Sequence, residues 1–165
     1  MSATSTTGIA AIVSLMQTHD VPGVQEHGCA LLGVLANDNK DNKYAIARVG
    51  GIDAIIHAMK THPKEGGTQA YGIEALARLA FRHKDNQTAI VKADGVAAIL
   101  TAMEIHYGNA QVQTNGCGAL LNLAAMLDDC QKALGVSAID NAMQRHPAAD
   151  QMREFGHAAR VSLTT

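Results

Sequence analysis

One block of sequence occurs four times along this chain of 165 residues. Its copies begin at Gly8, Gly51, Gly95 and Gly135, which lie 43, 44 and 40 residues apart. Self-similarity at such a period is typical of proteins whose supersecondary units stack and bury a shared core. We therefore predict one domain of four stacked units. The repeats span about residues 8–50, 51–94, 95–134 and 135–165, after a flexible N-terminal segment, residues 1–7.

The second copy shows how one unit divides into helices. Ile52, Ile55, Ile56 and Met59 recur at helical spacing and form one apolar stripe. Pro63 ends this helix, because proline lacks the backbone N–H and clashes with the preceding turn. The predicted helices of this unit span residues 52–62, 68–82 and 87–93.

The third copy is shortened where it joins the fourth. The segments Ile46–Gly51 and Ile90–Gly95, which end the first two copies, correspond here to Leu134–Gly135 alone. The missing residues amount to about one helical turn. We predict a loop in place of the short helix at this junction, or a local change in superhelix angle.

The composition also predicts an all-α fold. Apolar residues make up 47% of the chain, aromatic residues only 3%, and Trp is absent. The core must therefore consist of Ala, Ile, Val, Leu and the seven Met residues. Such side chains suit closely packed helices, whereas strands favour β-branched and aromatic residues.

Charge and cysteine content indicate the expected environment. The formal charge of -2 and the absence of a Lys/Arg run argue against a nucleic-acid partner. The apolar runs are too short to span a bilayer, and MSATSTT at the N-terminus has no signal-peptide features. Three cysteines without metal-ligand spacing fit a reducing compartment. We expect a cytoplasmic or nuclear protein with no membrane partner.

Four segments of the chain are similar to one known repeat. They are GIDAIIHAM from Gly51, EALARLA (Glu74–Ala80), GALLNLA (Gly118–Ala124) and NKYAIARVGG (Asn42–Gly51). With a period in the forties, the unit resembles the armadillo repeat over essentially the whole chain from Gly8. The resemblance implies a right-handed α-solenoid whose third helices line a concave groove that holds an extended peptide or a partner domain.

The chain departs from the nuclear-import members of that family. Those members carry a Trp on each third helix and an Asn four residues later. The Trp positions correspond here to Ala30, Glu74, Gly118 and Ala158. The Asn positions correspond to Val34, Arg78, Asn122 and Ser162, so that only Asn122 matches. We therefore expect no recognition of a basic import signal.

The resemblance also implies which residues line the groove. The predicted partner-binding residues are Glu26, Glu74, Arg78, Arg82, Thr114, Asn122 and Glu154. Glu74, Arg78 and Asn122 form the centre, where charged and amide groups can bond a peptide backbone or opposite charges. The predicted function is a non-catalytic interaction or scaffold module that binds a peptide or helix of unspecified identity.

A histidine recurs eleven residues after each start glycine. These residues are His19, His62, His106 and His146. We interpret them as helix-terminating residues whose imidazoles meet unsatisfied carbonyls at the negative end of the helix dipole. A metal- or pH-sensing ladder is the alternative, but units stacked about 10 Å apart cannot share a zinc ion bound at about 2.0–2.1 Å.

Glycines and methionines recur in the same way. The glycines are Gly28, Gly72, Gly116 and Gly156, and the methionines are Met16, Met59, Met103 and Met143. A glycine inside a helix costs about 1 kcal/mol relative to alanine, so the recurrence predicts a close helix crossing. A hinge or a ligand approach is the alternative. The methionines are predicted core residues, with an adaptable binding surface as the alternative.

No pattern in the sequence indicates catalysis. Cys29 and Cys117 occupy the repeat position of Ile73, which marks them as core residues, and His27 lies on a different helix face from Cys29. Phosphate-binding Gly-rich loops, HExxH and GxSxG are all absent from the sequence. We expect no enzymatic activity, no cofactor and no metal.

The ends of the array suggest an alternative function. The last unit presents Phe155 and Val161, although terminal units of repeat proteins are usually polar. The alternative is a self-assembling structural repeat protein, a homo-oligomer formed by end-to-end or lateral packing through uncapped ends.

Overall fold

The computed structural model describes the backbone of residues 3–165 and the side chains of residues 6–165. Over that range the chain forms α-helices and no β-strand. The helices are α1 (Ala3–Thr18), α2 (Pro22–Ala36), α3 (Lys40–Arg48), α4 (Gly51–Thr61), α5 (Gly66–Ala80), α6 (Lys84–Lys92), α7 (Gly95–Ile105), α8 (Ala110–Leu123), α9 (Asp129–Arg145) and α10 (Asp150–Thr164). A 3-10 turn, Ala124–Met126, follows α8. The all-α prediction is confirmed.

The helices form two layers that repeat along the chain. The second helices of the four units, α2, α5, α8 and α10, pack side by side in chain order, and each also packs on the first helix of its own unit, α1, α4, α7 or α9. The short helices α3 and α6 each contact the next unit. Leu32, Leu76 and Leu120 occupy equivalent positions and are fully buried. The architecture is therefore that of a helical repeat with one continuous core.

The helices of the second unit begin and end close to their predicted limits. Helix α4 ends just before Pro63, as expected. Helix α6 begins earlier than predicted, because Nδ1 of His83 accepts a hydrogen bond of 3.3 Å from the backbone N–H of Asn86. Helix α5 ends at Ala80, and Arg82 beyond it has a left-handed φ of 53°. The predicted continuation of α5 through Arg82 is therefore wrong.

Left-handed residues turn the chain from one unit into the next. Gly50 (φ 79°) and Asp94 (φ 62°) form the first two corners. The third junction has no residue of positive φ, and α9 runs unbroken from a capping box formed by Asp128 and Gln131. The predicted loop at this junction is therefore wrong. Because the corner residues are deleted, what remains of the short helix continues directly into the first helix of the fourth unit.

The N-terminal segment also differs from its predicted limits. Helix α1 begins at Ala3, so residues 3–7 extend the first helix of the first unit. Residues 1 and 2 lie outside the described residues. The flexibility of residues 1–7 stays a prediction.

The recurrent glycines lie under the recurrent methionines. A Cβ built on Gly28 would lie 2.5 Å from Cγ of Met16, and one on Gly116 would lie 2.4 Å from Sδ of Met103. Gly72 and Gly156 meet their methionines at 2.7 Å and 2.8 Å. Met16 and Met103 are themselves buried. The predicted close helix crossing is confirmed: the first helix of each unit crosses the second where no Cβ fits.

A buried glutamine closes the first helix of three units. Nε2 of Gln69 donates to the carbonyls of Met59 and His62, both at 2.9 Å. Gln25 and Gln113 make the same pair of bonds in the first and third units, at 2.8–3.0 Å. These bonds satisfy carbonyl groups that a helix end leaves open. The predicted helix-capping role therefore belongs to glutamine.

The recurrent histidines connect neighbouring units instead. Nε2 of His106 lies 2.8 Å from the carbonyl oxygen of Pro63, and Nε2 of His146 lies 2.8 Å from that of Tyr107. The His62 imidazole reaches back in the same way, to Oδ1 of Asp20 at 2.6 Å. The interpretation that these imidazoles cap their own helices is wrong. These three imidazoles reach the loop of the preceding unit, whereas His19, in the first unit, bonds Oγ1 of Thr18 at 2.8 Å.

Candidate functional site

The centre of the predicted groove lies on α5 and α8. Glu74 and Arg78 are half-buried, and Nη2 of Arg78 lies 2.5 Å from Oε1 of Glu74, one helical turn away. Asn122 is half-buried on α8, the next helix in the layer. We call Glu74, Arg78 and Asn122 the polar row. Because α5 and α8 pack side by side, the row lies across a junction between two units.

Asn122 makes a hydrogen bond within the protein. Its side-chain Nδ2 donates to the backbone carbonyl of Ala77 at 2.9 Å. Its backbone carbonyl accepts a hydrogen bond from Nε2 of Gln87 at 3.0 Å. An amide group has two hydrogens and an acceptor oxygen. One hydrogen is used across the junction, so a partner can use the second hydrogen and Oδ1.

The other predicted groove residues are spread over the layer. Glu26 is half-buried on α2, with its carboxylate against Gly67 in the first turn of α5. Thr114 donates its hydroxyl to the carbonyl of Ala110 at 2.8 Å. Glu154 is exposed on α10. Arg82 lies beyond the end of α5 and stacks on the Phe81 ring, 4.9 Å from its centroid. Of the predicted groove residues, only Glu74 and Arg78 contact each other, and Asn122 lies on the adjacent helix.

Sequence reasoning missed one set of residues at the junctions between units, and it assigned one of them, Phe155, to an exposed end, which is wrong because this ring is half-buried. Tyr71, Asn115 and Phe155 hold the same position in successive units and are half-buried. Nδ2 of Asn115 donates to the carbonyl of Ala70 at 2.9 Å, and the Phe155 ring lies 3.5 Å from a Cβ built on Gly118. Their common spacing from the mid-helix glycine would have identified them. They face the preceding unit, so they both pack the junction and border the row.

A cavity lies in the other layer, between α7 and α9. Its volume is about 710 Å³, and a smaller one of about 190 Å³ lies at the equivalent place between α4 and α7. Val96, Leu100, Leu134 and Ala138 give it an apolar lining. At one end the guanidinium carbon of Arg145 stacks 4.7 Å from the centroid of the Tyr107 ring. We call this cavity the α7–α9 cleft.

The missing corner explains the size of this cleft. At the preceding junction Cδ1 of Ile56 lies 3.2 Å from a Cβ built on Gly95, at the start of α7. The equivalent glycine of α9, Gly135, has Leu163 and Leu120 as its nearest neighbours. Leu100, the equivalent of Ile56, is consequently half-buried, whereas Ile56 is buried. The unbroken α9 thus leaves Leu100 on α7 only partly covered.

The titratable groups of the described residues do not converge on one centre. Burial raises the pKa of the Cys29 and Cys117 thiols from 9.0 to about 12. Burial lowers the pKa of Lys43, whose Nζ donates to the carbonyl of Phe81 at 2.7 Å. In residues 6–165 no group of three or more His, Cys, Asp and Glu side chains could hold a metal ion. Helices of the described chain are also too short or too polar to cross a membrane.

Comparison with known proteins supports the fold. No protein-family model matches the sequence, and no curated protein matches it. Among solved structures, the crystal structure of an engineered protein aligns over 95% of this chain with a TM-score of 0.74 at 20% identity. This chain spans 62% of the length of that protein. At this identity the likeness concerns the helical fold alone.

Proposed function

We propose that the chain is an armadillo-like α-solenoid of four units that binds an extended peptide or a helix of a partner protein through the polar row. Three-helix units of the first two repeats, followed by two-helix units, support this arrangement. The right-handed superhelix and the scaffold role are part of the proposal, and so is its localisation in cytoplasm or nucleus. That the chain is no enzyme and needs no cofactor stays a prediction.

The observation that carries the proposal is the half-exposed ion pair of Glu74 and Arg78. Both side chains retain about a third of their surface, 28% and 32%. Arg78 has five N–H donors, and only one is committed to Glu74. Ala77, next to Arg78 on α5, is small and half-buried, which leaves the backbone of a peptide room to approach. The row can therefore donate through Arg78 and accept through Glu74 and Asn122.

A charge exchange within the ion pair tests this proposal. The variant Glu74→Arg/Arg78→Glu keeps an i,i+4 pair on α5 but reverses the order of its charges. Peptides selected from a displayed random library on the original protein are then measured against the variant by fluorescence anisotropy. We expect at least a tenfold loss of affinity, about 1.4 kcal/mol, with little change in melting temperature.

A second ion pair supplies the matched control. Nε of Arg160 on α10 lies 2.8 Å from Oδ1 of Asp140 on α9, away from the polar row. The exchange Asp140→Arg/Arg160→Asp should leave peptide affinity unchanged. Equal affinities of the original protein and both exchanged variants would overturn the proposal for the row.

The α7–α9 cleft is a second candidate for the same function. Its apolar lining and its volume of about 710 Å³ fall in the range of small-molecule and side-chain binding cavities. Binders that tolerate the exchange on α5 but lose affinity in Leu134→Glu would belong to the cleft. Leu134 is exposed at the cleft edge, so this substitution should preserve the fold.

A further inference from the structure

Each junction between units uses the same two faces of the second helices, α2, α5, α8 and α10. The face of α5 directed at α2 comprises Thr68, Tyr71, Ala75 and Arg78, and that of α8 directed at α5 comprises Val112, Asn115, Ala119 and Asn122. A Cβ built on Gly33 would lie 3.4 Å from Cα of Ala75, and Asn122 donates to the carbonyl of Ala77. We call this the backward face. The opposite face, which meets the following unit, is the forward face.

The backward face of the first unit is apolar and exposed. On α2 it comprises Val24, His27, Leu31 and Val34. Leu31 is 51% exposed and Val34 is 65% exposed, whereas the equivalent of Leu31 in the second unit, Ala75, is fully buried. A surface that the repeat uses for packing is therefore uncovered at this end of the described chain.

The forward face of the last unit is uncovered as well. On α10 it comprises Glu154, Ala158 and Val161, which correspond to Glu26, Ala30 and Gly33 of the first unit. Val161 is 63% exposed. Apolar side chains thus occur on both terminal faces, at positions that meet each other within the array.

A polar contact of the first junction is also divided between the two ends. The carboxylate of Glu26 lies so close to Gly67 that a Cβ there would overlap it. Gly67 is in the first turn of α5, where the helix dipole favours a negative charge. Gly23, in the first turn of α2, is the equivalent of Gly67, and a Cβ built on it would have no neighbour within 4 Å. Glu154 on α10 is the equivalent of Glu26.

From this correspondence we propose that two copies of the chain associate head to tail. The forward face of α10 in one copy packs on the backward face of α2 in the next, with Glu154 at Gly23 and Val161 at Leu31. Because Val161 and Leu31 are larger than Gly33 and Ala75, these helices stand farther apart than α2 and α5. The two faces differ, so the interface is heterologous and further copies can add. The proposal is independent of the polar row.

Complementary blocked variants provide the test. Leu31→Glu blocks the backward face, and Val161→Glu blocks the forward face. Sedimentation velocity from micromolar to millimolar concentration should show growing oligomers for the original chain and a monomer for each variant alone. Mixing the two variants leaves one free face of each kind, so the mixture should form a dimer and nothing larger.

A control variant and three possible results test the head-to-tail contact further. Ile105→Glu alters an exposed isoleucine on α7, in an inner unit away from both terminal faces, and should associate like the original chain. A monomeric original chain at every concentration would overturn the proposal. So would a mixture that stays monomeric, or blocked variants that still associate alone, since both results place the contact elsewhere.

Discussion

The side-chain nitrogen of Asn122 donates a hydrogen bond of 2.9 Å to the backbone carbonyl of Ala77, and so ties α8 to α5. Asn115 makes the same bond to Ala70, two helical turns earlier on both helices. The asparagine that most resembles a peptide-reading residue is therefore also part of the packing between units. Because of this dual role, a substitution of Asn122 cannot separate peptide binding from the packing between units, whereas the exchange of Glu74 and Arg78 leaves Asn122 intact.

Removing the Asn122 side chain should weaken the junction. We expect Asn122→Ala to lower the free energy of unfolding by about 1 kcal/mol, the usual contribution of one hydrogen bond. Asn115→Ala should have a similar effect, because its bond has the same geometry. Chemical denaturation measures both, with exposed Asn141→Ala as the control that changes little. Unchanged stability of Asn122→Ala would contradict the assigned role.

The buried glutamines should contribute more to the stability of the protein than exposed glutamines do. Gln69→Met keeps the volume but leaves the carbonyls of Met59 and His62 without their donor. Burying such groups unpaired costs about 1–3 kcal/mol, so the free energy of unfolding should fall by that amount. Gln111→Met, at an exposed position of α8, should be nearly neutral. The same loss in both variants would contradict the assignment.

Substitutions at the left-handed corner residue Asp94 should raise or lower the stability of the protein. Glycine adopts a φ of 62° without strain, as Gly50 shows at the first corner, so Asp94→Gly should stabilise the protein by about 0.5 kcal/mol. Asp94→Val should destabilise it by about 1–2 kcal/mol, because a β-branched residue is strained there. The lost ion pair with Lys60 (3.7 Å) is exposed and contributes little. Thermal unfolding that shifts both variants in the same direction would refute this view of the corner.

The three thiols should differ in reactivity. Cys130 is exposed, whereas Cys29 and Cys117 are buried. A thiol reagent at mildly alkaline pH should therefore modify one cysteine in the folded protein and all three after unfolding, because only an exposed thiolate reacts. Mass spectrometry counts the modified residues. Rapid labelling of Cys29 in the folded protein would show that its helix opens more readily than the packing suggests.

The buried thiols also make stability depend on pH. Their pKa rises from 9.0 to about 12 on folding, so the folded state keeps these protons while the unfolded state loses them. Their stabilising contribution is complete below pH 9 and declines between about pH 9 and 12, by at most about 1.4 kcal/mol per pH unit for each thiol. Denaturation of the original chain and of Cys29→Ala/Cys117→Ala across this range should show a shallower slope in the variant. Parallel slopes would contradict the expectation.

Much of the fold could be predicted because its signals are local. Apolar spacing in Ile52–Met59 and the position of Pro63 located α4 to within a residue at its start and end. The recurrence of glycine inside the second helices predicted the close crossing, since a glycine inside a helix needs a packing reason. The predicted loop at the third junction was wrong, because deletion of a corner can produce either a loop or a fused helix, and the sequence does not distinguish them.

The candidate site was predictable only in part. The resemblance placed Glu74, Arg78 and Asn122 in one groove, and the structure pairs Glu74 with Arg78 on α5 and has Asn122 on the adjacent α8. The sequence could not show that Asn122 already donates a hydrogen bond to Ala77, because the partner of a side chain on another unit depends on how far the units are offset. The helix end before Arg82 was missed for a different reason, since arginine in a left-handed conformation has no sequence signature.

The sequence by itself determined that this chain is a helical repeat. Period, apolar stripes, corner residues and mid-helix glycines all act within one unit and are visible in each copy. Only the tertiary structure decided how the units meet: histidines linked to loops of the preceding unit, asparagines to carbonyls of the preceding unit, and a cleft where a corner is missing. The physical reason is that backbone preferences and side-chain periodicity are local, whereas these contacts depend on the rotation and offset between neighbouring units.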